Sequence, residues 1–176
     1  MAKQDKVTRA LVVSAALAAL GVIALTLGSL FQVLDLTMAV IASLFVVLAV
    51  IELGGKYPWL VYAVTAILSI LLIPTKTAAL TYLCFAGYYP IIKAKLEGMH
   101  LHRALSLVIK LLIFNGALAV ITLVTVKMMM IPIPDPRYYW ILSLLSVVFV
   151  LYDLALTRLI TAYLCRWRSR LTFLHK

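Results

Sequence analysis

The feature that most constrains this chain is a series of long apolar runs, the first of which extends from Ala10 to Leu30 without a charged residue. Hydrophobic residues make up 65% of the 176 residues and charged residues only 12%, whereas a soluble domain carries about a quarter charged residues. A soluble domain of this length leaves about a third of its chain surface exposed, so it cannot bury so much apolar surface. The composition therefore predicts an integral membrane protein.

Turn signals divide the apolar sequence into six runs. Gly54-Gly55 ends one run and Pro58 suits the first turn of the next helix, while the proline-rich stretch 131–136 cannot be helical throughout. The runs are apolar on every face, which excludes the alternating pattern of membrane strands. The predicted fold class is all-α, a polytopic membrane protein with a single domain over residues 1–176. Its six transmembrane helices are expected at about 8–31, 36–53, 58–73, 77–92, 104–129 and 138–165. A long basic loop is expected over residues 93–103, with Glu97 in solvent.

The basic residues predict an orientation. With the N-terminus inside, eleven Lys and Arg residues fall on the cytoplasmic side and three fall outside, namely Lys76, Lys127 and Arg137. This bias follows the positive-inside rule and predicts a multi-pass protein of the cell membrane with both termini cytoplasmic. Because the basic residues lie at the ends of apolar runs, the net charge of +10 does not indicate nucleic-acid binding. The first run is too long for a signal peptide, so we expect a retained anchor.

Three charged residues lie well inside the predicted helices, away from their ends: Lys110, Asp153 and Arg158. Charges inside a bilayer are expensive and are often functional. We expect Lys110 to pair with Asp153, with Arg158 assisting or extending to the headgroups. A structural brace and a proton or ligand path are both compatible with this intramembrane charge pair.

Helix one is rich in small residues, and Ala15 and Ala19 are four positions apart. This spacing places both side chains on one face, where another helix can approach closely. A second pair, Ser14 and Ala18, lies beside the first. The small-residue face either packs inside this protein or docks on a partner subunit.

No signature of catalysis or metal binding occurs in the sequence. It contains no Walker motif, no His-Glu-x-x-His, no Gly-x-Ser-x-Gly and no clustered carboxylate pair. Cys84 and Cys165 have no partner spacing and are expected to be reduced. His100 and His102 lack the third and fourth ligands of a stable metal site. We therefore expect no enzyme activity, no cofactor and no metal.

Polar and aromatic residues gather on the predicted outer side. The set comprises Gln32, Asp35, Thr75, Lys76, Thr77, Lys127, Arg137, Tyr138, Tyr139 and Trp140, with Tyr82 one turn deeper. Aromatic faces combined with hydrogen-bonding groups suit a small amphipathic ligand. For Tyr138, Tyr139 and Trp140, the ordinary aromatic belt of a membrane protein is the alternative.

The chain resembles the substrate-binding subunit, or S component, of energy-coupling factor (ECF) transporters. The resemblance lies in the length, the six spans, the basic N-terminus leading into Ala15-xxx-Ala19 and the polar outer rim. The stretches Ile51-Glu52-Leu53-Gly54 and Gly87-Tyr88-Tyr89-Pro90-Ile91-Ile92-Lys93 are similar to those of small bacterial membrane proteins grouped with S components.

The resemblance implies an S-component-like bundle that binds a vitamin or similar micronutrient from outside as part of an ECF-type ABC transporter. It also implies membrane lipid, a coupling subunit that contacts Ala15 and Ala19, and separate ATPases as partners. The candidate ligand contacts are Gln32, Asp35, Lys76, Tyr82, Arg137 and Tyr139. The alternative is a small structural or assembly protein without a small-molecule ligand, which would dock through residues 87–103.

Overall fold

A computed structural model of the chain describes residues 2–31, 34–73, 76–99, 103–129 and 137–167. These residues form helices and turns, and none of them lies in a strand, which confirms the all-α fold class. The helices are α1 Ala2–Leu30, α2 Asp35–Glu52, α3 Tyr57–Leu72, α4 Lys76–Thr81, α5 Tyr89–Gly98, α6 Arg103–Met129 and α7 Arg137–Ala162. Two π-helical turns, Tyr82–Ala86 and Tyr163–Trp167, follow α4 and α7.

Because a π turn connects α4 with α5, the described residues form six helical segments. Within the described ranges, four stretches are long and apolar enough to cross a membrane: Gln4–Leu30, Asp35–Glu52, Leu105–Val124 and Ser143–Cys165. Helix α3 is apolar but shorter, with 16 residues. These helices are compatible with a multi-pass membrane protein.

The chain divides into two compact units, Met1–Thr125 and Val126–Lys176, with the boundary inside α6. The first unit contains α1 to α5 and most of α6. The second contains the end of α6, helix α7 and the π turn that follows it. A single domain over the whole chain stays a prediction.

Small residues let α1 pack closely on its two neighbours. A Cβ atom at Gly21 would lie 3.0 Å from Cγ2 of Thr65 on α3, and a Cβ at Gly28 would lie 2.7 Å from Cβ of Met38 on α2. The Thr65 hydroxyl also reaches the carbonyl of Ala18, at 3.4 Å. A side chain at Gly28 would therefore clash with Met38, and one at Gly21 would require Thr65 to shift, because the helices approach each other closely at these positions.

The fourth segment combines residues that break a regular helix. The backbone N–H of Gly87 donates to the Tyr82 carbonyl at 2.8 Å, five residues back, which is the bonding pattern of a π turn. Pro90 lies in the first turn of α5, where a missing N–H leaves no bond unmade. Helix α5 then continues to Gly98. The prediction that a loop begins at Lys93 is therefore wrong.

Candidate functional site

The two ends of the α2–α5 group carry different side chains. The short turn between Glu52 and Tyr57 makes α2 and α3 antiparallel, so the start of α2 and the end of α3 share one end. Lys76 lies there too, since its Nζ atom donates to carbonyls at the end of α3. We name this end the Asp35 end, after Asp35 at the start of α2. The opposite end contains Lys56, Trp59 and Lys95 and is named the Trp59 end.

At the Asp35 end, Lys76 has a structural partner. Its ammonium group donates to the carbonyls of Ile70 at 2.6 Å and Ile73 at 2.8 Å. Carbonyls at a helix C-terminus lack partners within the helix and carry partial negative charge, so Lys76 acts as a cap for α3. Asp35 is the first residue of α2 and is half-buried. The amides of that helix terminus favour its carboxylate.

Most of the other predicted ligand contacts have side chains outside the described part of the chain. Gln32 lies outside the described residues. Arg137 and Tyr139 lie on α7 in the second unit, and their side chains are likewise outside the described part of the chain. The structure thus brings Asp35 and Lys76 to one end of the first unit, with Tyr82 further along the α4 segment. The roles of Gln32, Arg137 and Tyr139 stay predictions.

Tyr82 begins the π turn and is fully buried. Its hydroxyl makes no hydrogen bond of good geometry among the described residues, although the Thr65 side chain lies close enough for a weak one. An unpaired buried hydroxyl costs about 1–3 kcal/mol. This residue therefore keeps a hydrogen-bonding group in an apolar interior at an energetic cost.

Tyr62 on α3 fixes the same turn from the other side, and sequence reasoning missed it. Its hydroxyl donates to the Leu83 carbonyl at 2.9 Å, and its ring lies 6.1 Å from that of Tyr82. A Cβ at Gly87 would lie only 2.5 Å from Cδ2 of Tyr62. The one available signal was the glycine before two tyrosines at 88 and 89, since a glycine beside aromatic rings indicates close packing.

The small residues of α1 separate into two groups. Ser14 and Ala18 are buried, whereas Ala15 and Ala19 are exposed. The buried pair lies on the face that packs within the first unit. The Ala15-xxx-Ala19 face is not covered by the described residues. It therefore leaves room for a partner helix, which favours docking over packing inside this protein.

A carboxylate joins two buried lysines at the Trp59 end. Oε1 of Glu97 lies 3.0 Å from Nζ of Lys110 and 3.5 Å from Nζ of Lys93. The lysine side chains are 9% and 1% exposed respectively, while that of Glu97 is 43% exposed. Sequence reasoning placed Glu97 in solvent within a loop, but it continues α5 and connects α5 to α6. The four-residue spacing of Lys93 and Glu97 also favours the extended helix.

The predicted pairing of Lys110 with Asp153 stays a prediction, because Lys110 pairs within the first unit with Glu97 and Asp153 belongs to the second. Asp153 is half-buried, and its backbone carbonyl accepts a hydrogen bond from the Thr157 hydroxyl at 2.8 Å. Arg158 is exposed. Its five-residue separation from Asp153 does not place the two on one helix face.

Comparisons with known proteins identify no relatives. The chain matches no protein-family model, no curated protein and no solved structure. Within the described ranges no group of three or more His, Cys, Asp or Glu side chains could hold a metal ion, and Cys84 and Cys165 are free thiols. Function must therefore be argued from the residues themselves.

Proposed function

We propose that the chain is a membrane-embedded substrate-binding subunit of an ECF-type ABC transporter for a vitamin or a similar micronutrient. In this proposal six helical segments cross the cell membrane, the Asp35 end faces outward and both termini are cytoplasmic. The excess of Lys and Arg at the opposite end supports that orientation. The subunit binds one small molecule from outside, and separate ATPase subunits drive transport.

The observation that carries the proposal is the Tyr82 hydroxyl. It is fully buried, makes no hydrogen bond of good geometry among the described residues and lies on the segment that starts at the Asp35 end. A bound ligand would supply the missing hydrogen bond, with the Thr65 hydroxyl as a second polar contact. Binding pockets commonly combine apolar walls with a few such polar groups.

The exposed pair Ala15 and Ala19 supports the second part of the proposal, docking on a coupling subunit. Small side chains permit backbones to approach closely in a membrane, where van der Waals packing drives helix association. Ala18 and Gly21 already serve this purpose inside the first unit. The exposed pair provides a similar surface without a partner helix among the described residues.

The ligand is tested first. The purified protein is analysed by mass spectrometry for a co-purifying small molecule, and that molecule is titrated in a thermal unfolding assay. We expect a saturable stabilisation, since a ligand that binds only the folded state raises its stability with concentration. Tyr82→Phe should weaken the affinity for the ligand at least fivefold, and the control Tyr57→Phe at the Trp59 end should not change it. Absence of both a co-purifying molecule and any shift with vitamins would reject ligand binding.

Docking is tested with bulky substitutions. Ala15→Leu combined with Ala19→Leu should abolish co-purification with ATPase subunits while ligand stabilisation persists. The matched control combines Ala63→Leu and Ala119→Leu, two exposed alanines on α3 and α6, and should retain the partners. If the Ala15/Ala19 variant still co-purifies with an intact transporter, this surface is not the docking site.

The competing function is a structural or assembly protein that docks through residues 87–103 and binds no small molecule. The exposed side chains of Lys95 and Met99 in that segment favour it. It predicts no ligand-dependent stabilisation, so the titration separates the two functions.

A further inference from the structure

The Trp59 end carries a surface that combines two lysines with a tryptophan. Lys95 on α5 places its Nζ atom 5.8 Å from the centroid of the Trp59 ring, within the range of a cation–π contact. Lys56 precedes Trp59 by three residues, and the Leu60 N–H donates to the Lys56 carbonyl at 3.3 Å. Lys56 thus belongs to the first turn of α3, where a three-residue spacing places two side chains on one face. We name these three residues the Lys-Trp-Lys patch.

The charge of this patch is not neutralised within the described residues. Lys56 and Lys95 are exposed, and neither forms an ion pair with a described carboxylate. Glu97 is two residues from Lys95, but it contacts the buried Lys93 and Lys110. Residues two apart on a helix do not face each other, so Glu97 serves a different face of α5.

The position of Lys56 is also unfavourable for the helix that it begins. A helix N-terminus carries partial positive charge and disfavours a nearby cation, by about 0.3–1 kcal/mol. No acidic residue lies in the first turn of α3 to offset this. Helix stability therefore does not explain a lysine here, and an anion bound by Lys56 and Lys95 would offset its cost.

An apolar stripe on α3 continues from the patch. Trp59 is 39% exposed, and Leu60, Ile67 and Leu71 are exposed further along, Leu71 to 73%. From Trp59 to Leu71 the helix rises about 18 Å, which is close to the ~15 Å depth of one leaflet's hydrocarbon layer. The patch and stripe together match a molecule with an anionic head and long apolar chains.

From this juxtaposition we infer that Lys56, Trp59 and Lys95 bind the headgroup phosphate of an anionic phospholipid, whose acyl chains lie along the exposed stripe of α3. The two ammonium groups contact the phosphate, and the Trp59 ring holds Lys95 in place and lies at the headgroup boundary, which tryptophan prefers. The inference rests on the membrane topology in the proposed function but not on the micronutrient ligand.

The test uses the full chain in a neutral detergent and native mass spectrometry. Dioctanoyl phosphatidylglycerol and dioctanoyl phosphatidylcholine are titrated separately. We expect the anionic lipid to bind at least fivefold more tightly. Lys56→Gln with Lys95→Gln should reduce its affinity about fivefold for each lysine removed and leave phosphatidylcholine binding unchanged. Trp59→Leu, which keeps both charges, should reduce it less.

The control variant removes two other exposed lysines, Lys6→Gln and Lys127→Gln, and should keep the preference. Equal loss in this control, or no preference in the native chain, overturns the inference. Effective competition by glycerol phosphate also overturns it, because that result identifies a site for a free phosphate ester. Alkaline carbonate washing of membranes checks the topology separately. Protein released by carbonate contradicts membrane embedding, whatever the lipid titration gives.

Discussion

The ammonium group of Lys110 lies 3.0 Å from the carboxylate of Glu97, thirteen residues earlier in the chain. This contact connects α6 to the C-terminal part of α5, and the same carboxylate oxygen lies 3.5 Å from Lys93. One partly exposed carboxylate therefore contacts two lysines that are nearly buried. Removal of the carboxylate should consequently matter more than removal of either cation.

Glu97→Gln should destabilise the protein by about 1–2 kcal/mol, below the 3–5 kcal/mol of a fully buried pair because Glu97 is partly exposed. Lys110→Met should cost less than about 1 kcal/mol, since methionine fills the volume of the lysine side chain and Glu97 keeps its contact with Lys93. Unfolding by denaturant in detergent micelles measures both. The double variant should be more stable than the sum of the single effects predicts, since the two residues contact each other. Strictly additive costs would contradict the shared carboxylate.

Gly87 should resist substitution despite its helical backbone. Alanine in a helix is favoured over glycine by about 1 kcal/mol, but a Cβ at Gly87 would lie 2.5 Å from Tyr62 and 2.8 Å from Tyr82. Such overpacking costs about 1–3 kcal/mol, so Gly87→Ala should be destabilising overall. Gly116→Ala on α6 is the matched control, because no described atom lies within 4 Å of its Cβ position. It should raise stability in the same unfolding assay.

The apolar runs and turn residues predicted the helical segments closely, because both are local signals. Residues 54–58 ended α2 and began α3 as expected, with Gly54 and Gly55 both at positive φ. The π turn at Tyr82 was not predictable, since it depends on Tyr62 of α3 packing against the turn beside Gly87.

The candidate site was less accessible to sequence reasoning. Tyr82 was identified by its depth from the predicted outer end, but the lack of a hydrogen-bond partner is a tertiary property. Glu97 was predicted to lie in solvent, because nothing in the sequence near it indicates that its partner is on another helix. Lys76 was selected for its charge, whereas its contacts with carbonyls of α3 depend on how the chain turns between the two helices.

Lys76→Met should destabilise the protein by about 0.5–1 kcal/mol, the usual worth of a cation at a helix C-terminus. Lys76→Arg should recover most of that loss, since a guanidinium can still donate to the Ile70 and Ile73 carbonyls. Thermal unfolding without ligand measures this capping role. If Lys76→Met changes only ligand affinity and leaves ligand-free stability intact, Lys76 is a binding residue and the cap contributes nothing.

The two tyrosines of the π turn should respond in opposite ways to removal of their hydroxyls. Tyr62→Phe loses the bond to the Leu83 carbonyl and should cost about 1–2 kcal/mol. Tyr82→Phe removes a buried hydroxyl that has no described partner, so ligand-free stability should be unchanged or higher by about 1 kcal/mol.

Denaturant unfolding without ligand, followed by the same measurement with saturating ligand, distinguishes structure from function at these positions. Tyr62→Phe should keep its ligand-dependent stabilisation, because its defect lies in the folded chain itself. Tyr82→Phe should lose that stabilisation while starting from an intact fold. A Tyr82→Phe variant that is destabilised without ligand would mean that the hydroxyl has an internal partner, and the observation that supports ligand binding would no longer hold.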